Sequence, residues 1–458
     1  MARVLALDLG SSSVRAVLLD ERLRPVVSAR RPARVRQAED GAAELDLAEY
    51  LAATVACVDE VAIALDGVGL IAVSTQWHSL VGLDERGEPA GPCLSWMDLR
   101  PTLPAHGPAD PDAYHARTGA WWHPFYWPAR IAWLRAAGVA ARRYVGLPEY
   151  LGLRLWGEPT ASVSSASGTG ALDTVACRWD AEALELAGIT PAQVPELAGD
   201  AWRGRLTEAY RRRWPALADA VVAPPLGDGA ASALGSGCPD ESRLSVTVGT
   251  SAAVRLVTTD TAAPAPNVWR YRVDHERAVY GVAYSGGGVL DEWAKNLLGT
   301  EPTLSDVPVG AHGLLCLPYQ AGHRPPADPQ GVGGTLYGLR LTTTPADLLA
   351  ATLEGVCHEV ADGARALDPG GAALPVLGGG AVSASDWFTG RLAAALGGHA
   401  RRVTNPEVGA LGAAAAAAGI RYQPDSTDVA VPDADVAAMA EAGHRYRALR
   451  ERLDVRAR

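Results

Sequence analysis

Several residue types and motifs that mark common protein classes are scarce or missing in this sequence. The 458 residues include two phenylalanines and three methionines. The six cysteines are widely scattered and form no CxxC motif or Cys/His cluster, which argues against a structural zinc site and a disulfide framework. We therefore expect reduced and mostly buried thiols.

Signals for export and for membrane insertion are also missing. The strand pattern begins at Val4, without the basic segment, apolar stretch and cleavage site of a signal peptide. No stretch of about 18 apolar residues lacks charges or glycine breaks, so no membrane-spanning helix is expected. The net charge of −11 disfavours nucleic acids and anionic membranes as partners. We expect a cytoplasmic protein that binds a small molecule, with a homodimer as one assembly to consider.

The common nucleotide-binding and hydrolase motifs do not occur. There is no G-x-x-x-x-G-K-[ST] phosphate loop, and no G-x-G-x-x-G turn follows the first predicted strand. Neither H-E-x-x-H nor G-x-S-x-G is present. A nucleotide-binding hypothesis must therefore rest on a different phosphate-binding architecture.

The pattern that is present predicts two α/β domains, because 458 residues are too many for one ordinary core. Strand, small-residue turn and strand follow one another at residues 4–19 and again at residues 244–257. Predicted strands and helices alternate after each unit. We place an N-terminal domain at residues 1–236 and a C-terminal domain at residues 237–458. A cleft between two such domains is the natural site.

Helix signals are clearest at three places, and one segment between them is predicted to be irregular. Asp46 and Thr344 each precede an apolar-periodic helix, and an alanine-rich helix is predicted near residues 410–418. Residues 90–128 are rich in proline, tryptophan and histidine and are predicted to form an ordered loop region, with a helix from Arg130. Binding sites tend to lie in such loops.

The first turn has the residues needed to hold a phosphate group. The carboxylate of Asp8, at a strand end, can hold Mg²⁺ through water, and Gly10 lets the backbone approach phosphate oxygens closely. The amides and hydroxyls of residues 11–13 can donate to these oxygens, and Arg15 adds positive charge. Taken alone, this segment is more often a plain hairpin turn.

A second turn, at residues 248–254, has the same chemistry, with Gly249, Thr250 and Ser251 between two strands. Two such turns, one opening each half, suit a phosphate chain gripped from both sides. Asp228 lies between them, at the mouth of a small-residue helix whose N-terminus favours an ionised carboxylate. That suits a base that accepts a proton from a hydroxyl, although a helix-capping aspartate is the commoner reading by itself.

Two further groups of residues suit a nucleotide and a sugar. The glycine run at residues 378–380, between a strand and a helix, admits a flat ring or a phosphate against the backbone; a tight strand-to-helix turn is equally compatible. Aromatic rings can pack on sugar C–H faces while polar side chains bond the hydroxyls, and core packing is the alternative for each tryptophan. The candidates for sugar binding are Trp77, His78, Trp96, Asp98, Arg100, His123 and Phe125.

These motifs, in this order, resemble those of the FGGY carbohydrate kinases of the actin/hexokinase/Hsp70 superfamily, from Val4 to about Gly419. Residues 8–15 and 249–251 match the two phosphate motifs, and Asp228 falls at the position of the family's catalytic base. Residues 377–383, with 407–414, match the adenosine region. The segment at residues 322–326 resembles the family's Gly-Glu-Arg-x-Pro, with histidine in place of glutamate.

The substrate loops are most similar to those of gluconate kinases. Residues 77–80 read Trp-His-Ser-Leu where those kinases have Met-His-Ser-Leu, and residues 95–100, 118–134 and 165–170 also fit their patterns. The departures are the tryptophans at positions 77, 121 and 122, and a serine at position 285 where asparagine is usual. If the substrate is gluconate, its carboxylate is expected to meet His78 or Arg100.

The resemblance implies two ribonuclease-H-like domains of the actin-like ATPase fold with a cleft between them. It also implies ATP and Mg²⁺ as cofactors, with sugar and base in the first domain and nucleotide in the second. Asp228 is implied as base, and Asp8 with Asp228 as metal site. The implied nucleotide-binding residues are Gly10, Ser11, Ser12, Ser13, Arg15, Gly249, Thr250, Ser251, Gly287, Gly379, Gly380, Ala381 and Ser383. The implied substrate-binding residues are Asp228 and the seven sugar-binding candidates given above.

The function implied in this way is ATP-dependent phosphorylation of a sugar or sugar acid, with D-gluconate converted to 6-phosphogluconate. A pentulose kinase for xylulose or ribulose is the alternative within the family. A non-catalytic sugar or nucleotide sensor on the same fold is an alternative from another class, and an ATP-driven chaperone or filament protein is a further one. The retention of Asp8 and Asp228 disfavours a sensor, since a sensor has no need of a base.

Overall fold

Two seven-stranded sheets organise the chain, in a computed structural model that describes residues 2–327 and 333–453. The strands of the described residues are β1 (Arg3–Leu9), β2 (Ser13–Leu19), β3 (Pro25–Pro32), β4 (Val35–Gln37), β5 (Ala43–Leu45), β6 (Val68–Thr75), β7 (Val81–Leu83), β8 (Cys93–Leu94), β9 (Arg143–Val145), β10 (Ala161–Ser162), β11 (Leu172–Asp173), β12 (Arg178–Trp179), β13 (Leu197–Ala198), β14 (Gly204–Arg205), β15 (Val221–Val222), β16 (Leu226–Gly227), β17 (Arg243–Val248), β18 (Ala252–Thr258), β19 (Trp269–Arg272), β20 (Ala278–Tyr284), β21 (Leu315–Leu317), β22 (Thr335–Tyr337), β23 (Leu374–Gly378), β24 (His399–Arg402) and β25 (Thr427–Ala430).

Helices cover the sheets and connect their strands. The helices of the described residues are α1 (Leu47–Val61), α2 (Pro111–Thr118), α3 (Trp127–Ala136), α4 (Leu147–Leu155), α5 (Val163–Ser167), α6 (Ala181–Leu186), α7 (Glu208–Arg213), α8 (Asp228–Gly235), α9 (Val289–Leu298), α10 (Pro345–Leu367), α11 (Gly380–Ala384), α12 (Asp386–Ala395), α13 (Val408–Ala418) and α14 (Asp433–Arg452). None of these helices is both long and apolar enough to cross a membrane.

The two sheets share one plan. In the first, the order is β14-β15-β6-β1-β2-β3, with β16 also paired to β6; β1, β2 and β3 are antiparallel neighbours and β6 runs parallel to β1. In the second, the order is β19-β20-β18-β17-β23-β24-β25, where β17, β18 and β20 are antiparallel neighbours and β23 runs parallel to β17. The duplicated α/β architecture predicted from the sequence is therefore confirmed.

Local helix signals account for the helix boundaries, including one helix that the sequence analysis missed. Asp46 accepts a hydrogen bond from the Glu49 amide at the start of α1, as the capping pattern predicts. The prediction that residues 90–128 are irregular is wrong for α2. There Asp110 caps the first turn, a proline stands at its start, and Gly119, at φ 69°, ends the helix. The next helix begins at Trp127, not at Arg130.

Helices α8 and α13 pack against each other between the two domains. A Cβ atom on Gly412 would lie 1.8 Å from the carbonyl oxygen of Ala231, and one on Gly235 would lie 1.8 Å from that of Val408. Side chains are therefore excluded at this crossing, and the backbones approach closely. The prediction that small residues near 410–418 serve close packing is confirmed. This buried crossing belongs to a core shared by both sheets, and the match of residues 407–414 to the adenosine region stays a prediction.

Candidate active site

The first predicted phosphate turn joins β1 to β2 and faces the cleft. Asp8 is the cross-strand partner of Arg15, whose Nη1 lies 3.9 Å from its carboxylate. The Gly10 amide donates to the Ser13 carbonyl, and the Tyr50 hydroxyl donates to the Gly10 carbonyl at 2.7 Å, which fixes the turn. Burial raises the pKa of Asp8, and Arg15 opposes this effect. The turn therefore presents a half-buried carboxylate beside a guanidinium.

The second predicted phosphate turn is held by two other glycine turns. The Gly288 amide donates to the Gly249 carbonyl at 2.6 Å, just before α9 begins. A Cβ on Gly287 would lie 2.6 Å from the backbone carbon of Ser251. Gly379, at φ 100°, brings the third turn so close that a Cβ would lie 2.4 Å from the Val248 carbonyl oxygen. The structure thus brings three predicted nucleotide-binding segments together.

These turns border a cleft of about 940 Å³. The predicted nucleotide-binding residues among its lining are Arg15, Gly249, Thr250, Gly287, Gly380 and Ala381. Predicted residues that belong to the same turns without lining this cleft are Gly10, Ser11, Ser12, Ser13, Ser251, Gly379 and Ser383. Ser13 is buried at the start of β2, and the Ser383 amide donates to the Gly379 carbonyl at 3.0 Å.

Other lining residues were not predicted from the sequence. Arg30 enters from the N-terminal domain, and Lys295 of α9 pairs with Asp291 at 3.0 Å and with Glu301 at 2.8 Å. Arg30 carries no recognisable local motif, and Lys295 could have been noticed as the single lysine in the chain.

Asp228 is the first residue of α8, directly after β16. Its Oδ1 accepts a hydrogen bond from the Gly229 amide at 2.8 Å. Burial raises the pKa of Asp228 to about 6, and the charge of Asp8 adds to the rise, while Arg255 and the Gly229 amide oppose it. A carboxylate with this pKa is ionised at neutral pH yet remains a competent proton acceptor.

Arg255 of β18 brings charge from the C-terminal domain to this carboxylate. A Cβ on Gly229 would lie 2.9 Å from Arg255 Nε, an atom that has no hydrogen-bond partner. Burial lowers the pKa of Arg255, and the charge of Asp228 opposes this effect. The sequence analysis missed Arg255, because nothing local marks a strand arginine as the neighbour of a distant aspartate.

Trp77 is part of the core that supports Asp228. It is 6% exposed, and its Nε1 donates to the Ser164 carbonyl at 2.8 Å. Added Cβ atoms on Gly227 and Gly229 would lie 2.0 and 2.4 Å from its ring. The indole therefore fits only because these positions lack side chains. The structure therefore shows Trp77 packed in the core, the alternative that the sequence analysis gave for each tryptophan.

His78, the residue after Trp77 and a sugar-binding candidate, has a strained backbone conformation. Its φ is 69°, in the left-handed region that non-glycine residues rarely occupy. Its Nδ1 is 2.5 Å from the Gly168 carbonyl oxygen, so this nitrogen carries the proton in the neutral ring. Burial and the nearby cations Arg130 and Arg324 lower the pKa of His78 to about 3. At neutral pH the ring is therefore uncharged, with Nε2 as a hydrogen-bond acceptor.

The other sugar-side candidates fall into two groups. Phe125 lies 4.4 Å from the His78 ring, centroid to centroid, and the Phe125 amide donates to His123 Nδ1 at 3.1 Å. Trp96 is half-buried under the guanidinium of Arg324, 3.9 Å from the ring centroid. The structure thus brings these candidates together with His78.

Asp98 and Arg100 are paired with each other. The Asp98 carboxylate accepts from the Ala43 amide at 2.9 Å and from Arg100 Nη2 at 2.7 Å. The same Arg100 nitrogen donates to Glu44 at 2.7 Å. Neither charge is available without breaking an existing pair, so the pair anchors the loop after β8. Arg100, which the sequence analysis expects to meet a substrate carboxylate, is thus already paired with two carboxylates of the protein.

Arg130 is a buried hub that the sequence analysis did not recognise. Its guanidinium is fully buried and donates to five backbone carbonyls at 2.8 to 3.4 Å: those of His78, Ser95, Trp96, Asp98 and Pro124. These carbonyls belong to three separate loops, which carry the candidates for sugar binding. One side chain therefore sets their relative positions.

Replacing Arg130 with methionine is expected to lower the free energy of unfolding by about 2–4 kcal/mol, because five buried carbonyls lose their donors. Urea denaturation measures the change. Arg135→Met, an exposed position at the end of the same helix, is the matched control and should change stability by less than about 0.5 kcal/mol. Equal stability of the two variants would contradict the role given to Arg130.

The oxygen atoms at the carboxylate end of the cleft fit Mg²⁺. Mg²⁺ is commonly held by one or two carboxylates together with waters and substrate phosphates. Asp8 and Asp228 supply two such carboxylates, and the proximity of their charges favours a cation between them. The buried Oε1 of Gln76, a residue of the adjoining loop, has no hydrogen-bond partner. These groups are hard oxygen ligands of the kind that Mg²⁺ prefers.

The two domains, the cleft and the two phosphate turns define an actin-like ATPase fold, and solved structures share it over the whole chain. A xylulose kinase from Lactobacillus acidophilus superposes with a TM-score of 0.89 at 22% identity, covering 100% of this chain and 99% of that one. A gluconate kinase from the same species superposes with a TM-score of 0.87 at 23% identity, covering 98% of both chains. At these identities the likeness shows the fold.

Family models cover both domains. The model of the N-terminal domain of the FGGY family of carbohydrate kinases matches residues 3–235, and that of the C-terminal domain matches residues 244–419. The chain belongs to the FGGY family of carbohydrate kinases. The family predicted from the ordered motifs is thereby confirmed.

Individual relatives point to more than one substrate. The gluconokinase of Bacillus subtilis is 28% identical over 325 residues, 64% of this chain and 62% of that protein. This alignment spans less than two thirds of the gluconokinase's length. The xylulose kinase of Streptomyces rubiginosus is 30% identical over 456 residues, 93% of this chain and 90% of that protein. The family is therefore certain, and these relatives differ in the sugar that their names give.

Proposed function

We propose that the chain transfers the γ-phosphoryl group of ATP to a hydroxyl of a sugar or sugar acid, with D-gluconate as the favoured acceptor. The observation that carries this proposal is the position of Asp228, a carboxylate with a pKa of about 6 that feels the charges of Asp8 in the first phosphate turn and of Arg255 in the C-terminal domain. A protein that only bound sugar or nucleotide would have no use for a base in this place.

In the proposed reaction, Asp228 accepts the proton of the acceptor hydroxyl while the hydroxyl oxygen forms a bond to the γ-phosphorus. The bond from that phosphorus to the bridging oxygen breaks, and ADP leaves. Phosphoryl transfer depends mainly on positioning and on stabilising negative charge. Arg15, the amides of residues 10–13 and the turn at residues 249–251 would supply donors to the phosphates. Gly287 and the turn at residues 379–383 would border the rest of the nucleotide.

Mg²⁺, which Asp8 and Asp228 would hold, neutralises charge on the phosphates when bound. The N-terminal domain, residues 1–236, would then hold the acceptor and the base, and residues 237–458 would hold the nucleotide. The first family match ends at residue 235 and the second begins at residue 244, which supports this division. Closure of the domains would exclude water and limit ATP hydrolysis.

On the acceptor side we propose that neutral His78 and the face of Trp96 contact the sugar, with Phe125 and His123 supporting them. Asp98 and Arg100, which are paired with each other, would position the loop that carries Trp96. Trp77 would hold the turn that precedes Asp228. The similarity of the loops to gluconate kinases and the gluconokinase relative favour gluconate. The xylulose kinase relative, aligned over nearly the whole chain, favours a ketopentose as the second candidate.

A screen of acceptors distinguishes these candidates. ADP formation is measured with D-gluconate, D-xylulose, D-ribulose and glycerol, each at several concentrations, with an acceptor-free reaction as control. Gluconate should give the highest kcat/KM. If a ketopentose is phosphorylated and gluconate is not, the proposed substrate is contradicted and the proposed kinase function remains. Absence of ADP formation with every acceptor would contradict the kinase function.

The dependence of kcat/KM on pH should report the ionisation of Asp228. Because the base acts in its deprotonated form, kcat/KM is expected to fall about tenfold per pH unit below the pKa of Asp228 and to level off above it; this pKa is about 6 without Mg²⁺ and is lowered where the cation is bound. A kinetic profile between pH 4 and 8, at saturating ATP and Mg²⁺, measures this. ATP binding by titration over the same range is the control. A flat kinetic profile would contradict the role of Asp228.

A further inference from the structure

Arg30 is a cation of β3 that reaches the nucleotide side of the cleft. The residue lies outside both phosphate motifs, yet it lines the cleft of about 940 Å³ together with Gly249 and Thr250 of the second phosphate turn. Arg30 is exposed, so its guanidinium is open to a ligand in this cleft. A cation in this place can meet an anionic part of a bound nucleotide.

The strand register places Arg30 in one row with the first phosphate turn. Asp8 of β1 is directly opposite Arg15 of β2, and Arg15 is directly opposite Arg30 of β3. Residues that are opposite each other in neighbouring strands project from the same face of a sheet. Because neighbouring strands lie about 4.8 Å apart, the backbone of Arg30 is roughly 10 Å from that of Asp8. The three side chains therefore project into the same space at the phosphate end of the cleft.

The other two cations that line this cleft within the described residues are each held by two carboxylates. Arg15 lies 3.9 Å from the carboxylate of Asp8 and 3.6 Å from that of Glu407. Lys295 is paired with two acidic residues of its own domain. Arg30 adds a third positive charge, carried by a side chain that extends along the wall of the cleft from the N-terminal domain.

We propose that Arg30 binds the phosphate chain of the nucleotide and completes, from β3, the site that the two phosphate turns form. The inference rests on the proposed kinase function. A guanidinium presents a rigid fork of N–H donors that matches two oxygens of a phosphate group. Arg30 belongs to the N-terminal domain and Thr250 to the C-terminal domain, so a phosphate chain bound by both would also hold the domains together across the cleft.

Arg31 provides a matched control, because consecutive residues of a strand point to opposite faces of the sheet. The Arg31 guanidinium is paired with Glu60 of α1, and its side chain is 40% exposed. Arg30→Gln and Arg31→Gln therefore remove the same charge from neighbouring positions, and only the first of these positions lines the cleft.

The test is a calorimetric titration without acceptor, in the presence of Mg²⁺, of β,γ-methylene ATP, ADP and adenosine. In Arg30→Gln the affinity for β,γ-methylene ATP and for ADP is expected to fall roughly 10-fold, while that for adenosine stays within about twofold. Arg30→Lys should restore part of the loss, and Arg31→Gln should change none of the three affinities. In steady-state turnover, Arg30→Gln should raise KM for ATP about 10-fold and leave KM for the acceptor within about twofold.

The outcomes separate this inference from the kinase proposal. Arg30-dependent binding of β,γ-methylene ATP by a protein that phosphorylates no acceptor supports the inference and contradicts the kinase function. Phosphorylation of an acceptor with an unchanged KM for ATP in Arg30→Gln overturns the inference and leaves the kinase function standing.

Two other results also overturn the inference. An equal loss of affinity for adenosine would mean that Arg30 contacts the ribose or the base. Lower stability in urea with unchanged nucleotide affinity would mean that Arg30 only balances the charge of Glu407, a carboxyl whose pKa burial raises and the charges of Arg15 and Arg30 lower.

Discussion

Replacing Asp228 with asparagine is expected to lower acceptor-dependent ADP formation roughly 10²- to 10⁴-fold. Asparagine keeps the shape of the side chain and can still accept the hydrogen bond from the Gly229 amide, but it cannot take a proton from the acceptor hydroxyl. ATP binding should remain close to that of the wild type, because the phosphate turns are intact. A coupled ADP assay and a nucleotide titration measure the two effects.

The stability of this variant provides the control. The folded-state pKa of Asp228, about 6, lies above the ordinary value of 3.8, so folding favours the protonated form. The stability contributed by this group is therefore fully present below about pH 3.8 and is lost as the pH rises to about 6 and above. At pH 7 Asp228→Asn should be at least as stable as the wild type. Near-normal turnover in the variant would contradict the assignment of the base. Asp428→Asn, at a side chain that is 68% exposed, should behave as the wild type.

Replacing Gly412 with alanine is expected to destabilise the protein by about 1–3 kcal/mol or more, the usual cost of overpacking a tight contact. The added Cβ would lie 1.8 Å from the Ala231 carbonyl oxygen, and the obstructing atom is backbone. Helices α8 and α13 would have to separate. Since α8 begins with Asp228, turnover should fall together with stability. Chemical denaturation and the ADP assay measure these effects.

Gly390→Ala is the matched control for this substitution. Gly390 also lies inside a helix, α12, but the nearest heavy atom to an added Cβ is at 3.8 Å. Alanine is favoured over glycine in helices by about 1 kcal/mol, so this variant should be slightly more stable than the wild type. If Gly412→Ala were stabilised to the same extent, the close crossing of α8 and α13 would be refuted.

The sequence was most informative where function depends on local backbone geometry. The two strand-turn-strand units were predictable, because alternating apolar residues around a glycine turn specify a hairpin wherever it lies in the chain. Asp8 and Asp228 were recognised for the same reason, since each stands at the end or the start of a regular element. The capping residues Asp46 and Thr344 likewise marked helix starts correctly.

Residues that act through contacts between distant segments were much harder to predict. Arg130 stabilises three loops through backbone carbonyls, which leave no trace in the sequence. Arg324 lay inside a recognised motif, but its stacking on Trp96 depends on how the two domains meet. Asp98 and Arg100 looked like free ligands because their mutual pairing is a tertiary contact.

The acceptor's identity depends on these same tertiary contacts. His78 was one of two residues expected from the sequence to meet a substrate carboxylate, but its burial beside two arginines leaves the ring uncharged at neutral pH. The motif that contains His78 therefore does not decide between an acid and a neutral sugar as acceptor. We expect this choice to depend on the side chains around His78.

Phosphorus NMR of a reaction containing the protein, ATP, Mg²⁺ and D-gluconate tests the central claim most directly. The account predicts a new phosphomonoester signal that grows in step with ADP and that carries the phosphate on the terminal hydroxyl, with both products formed at least about 100-fold more slowly by Asp228→Asn. ADP with inorganic phosphate but no phosphomonoester, for gluconate and for the ketopentoses alike, would contradict it.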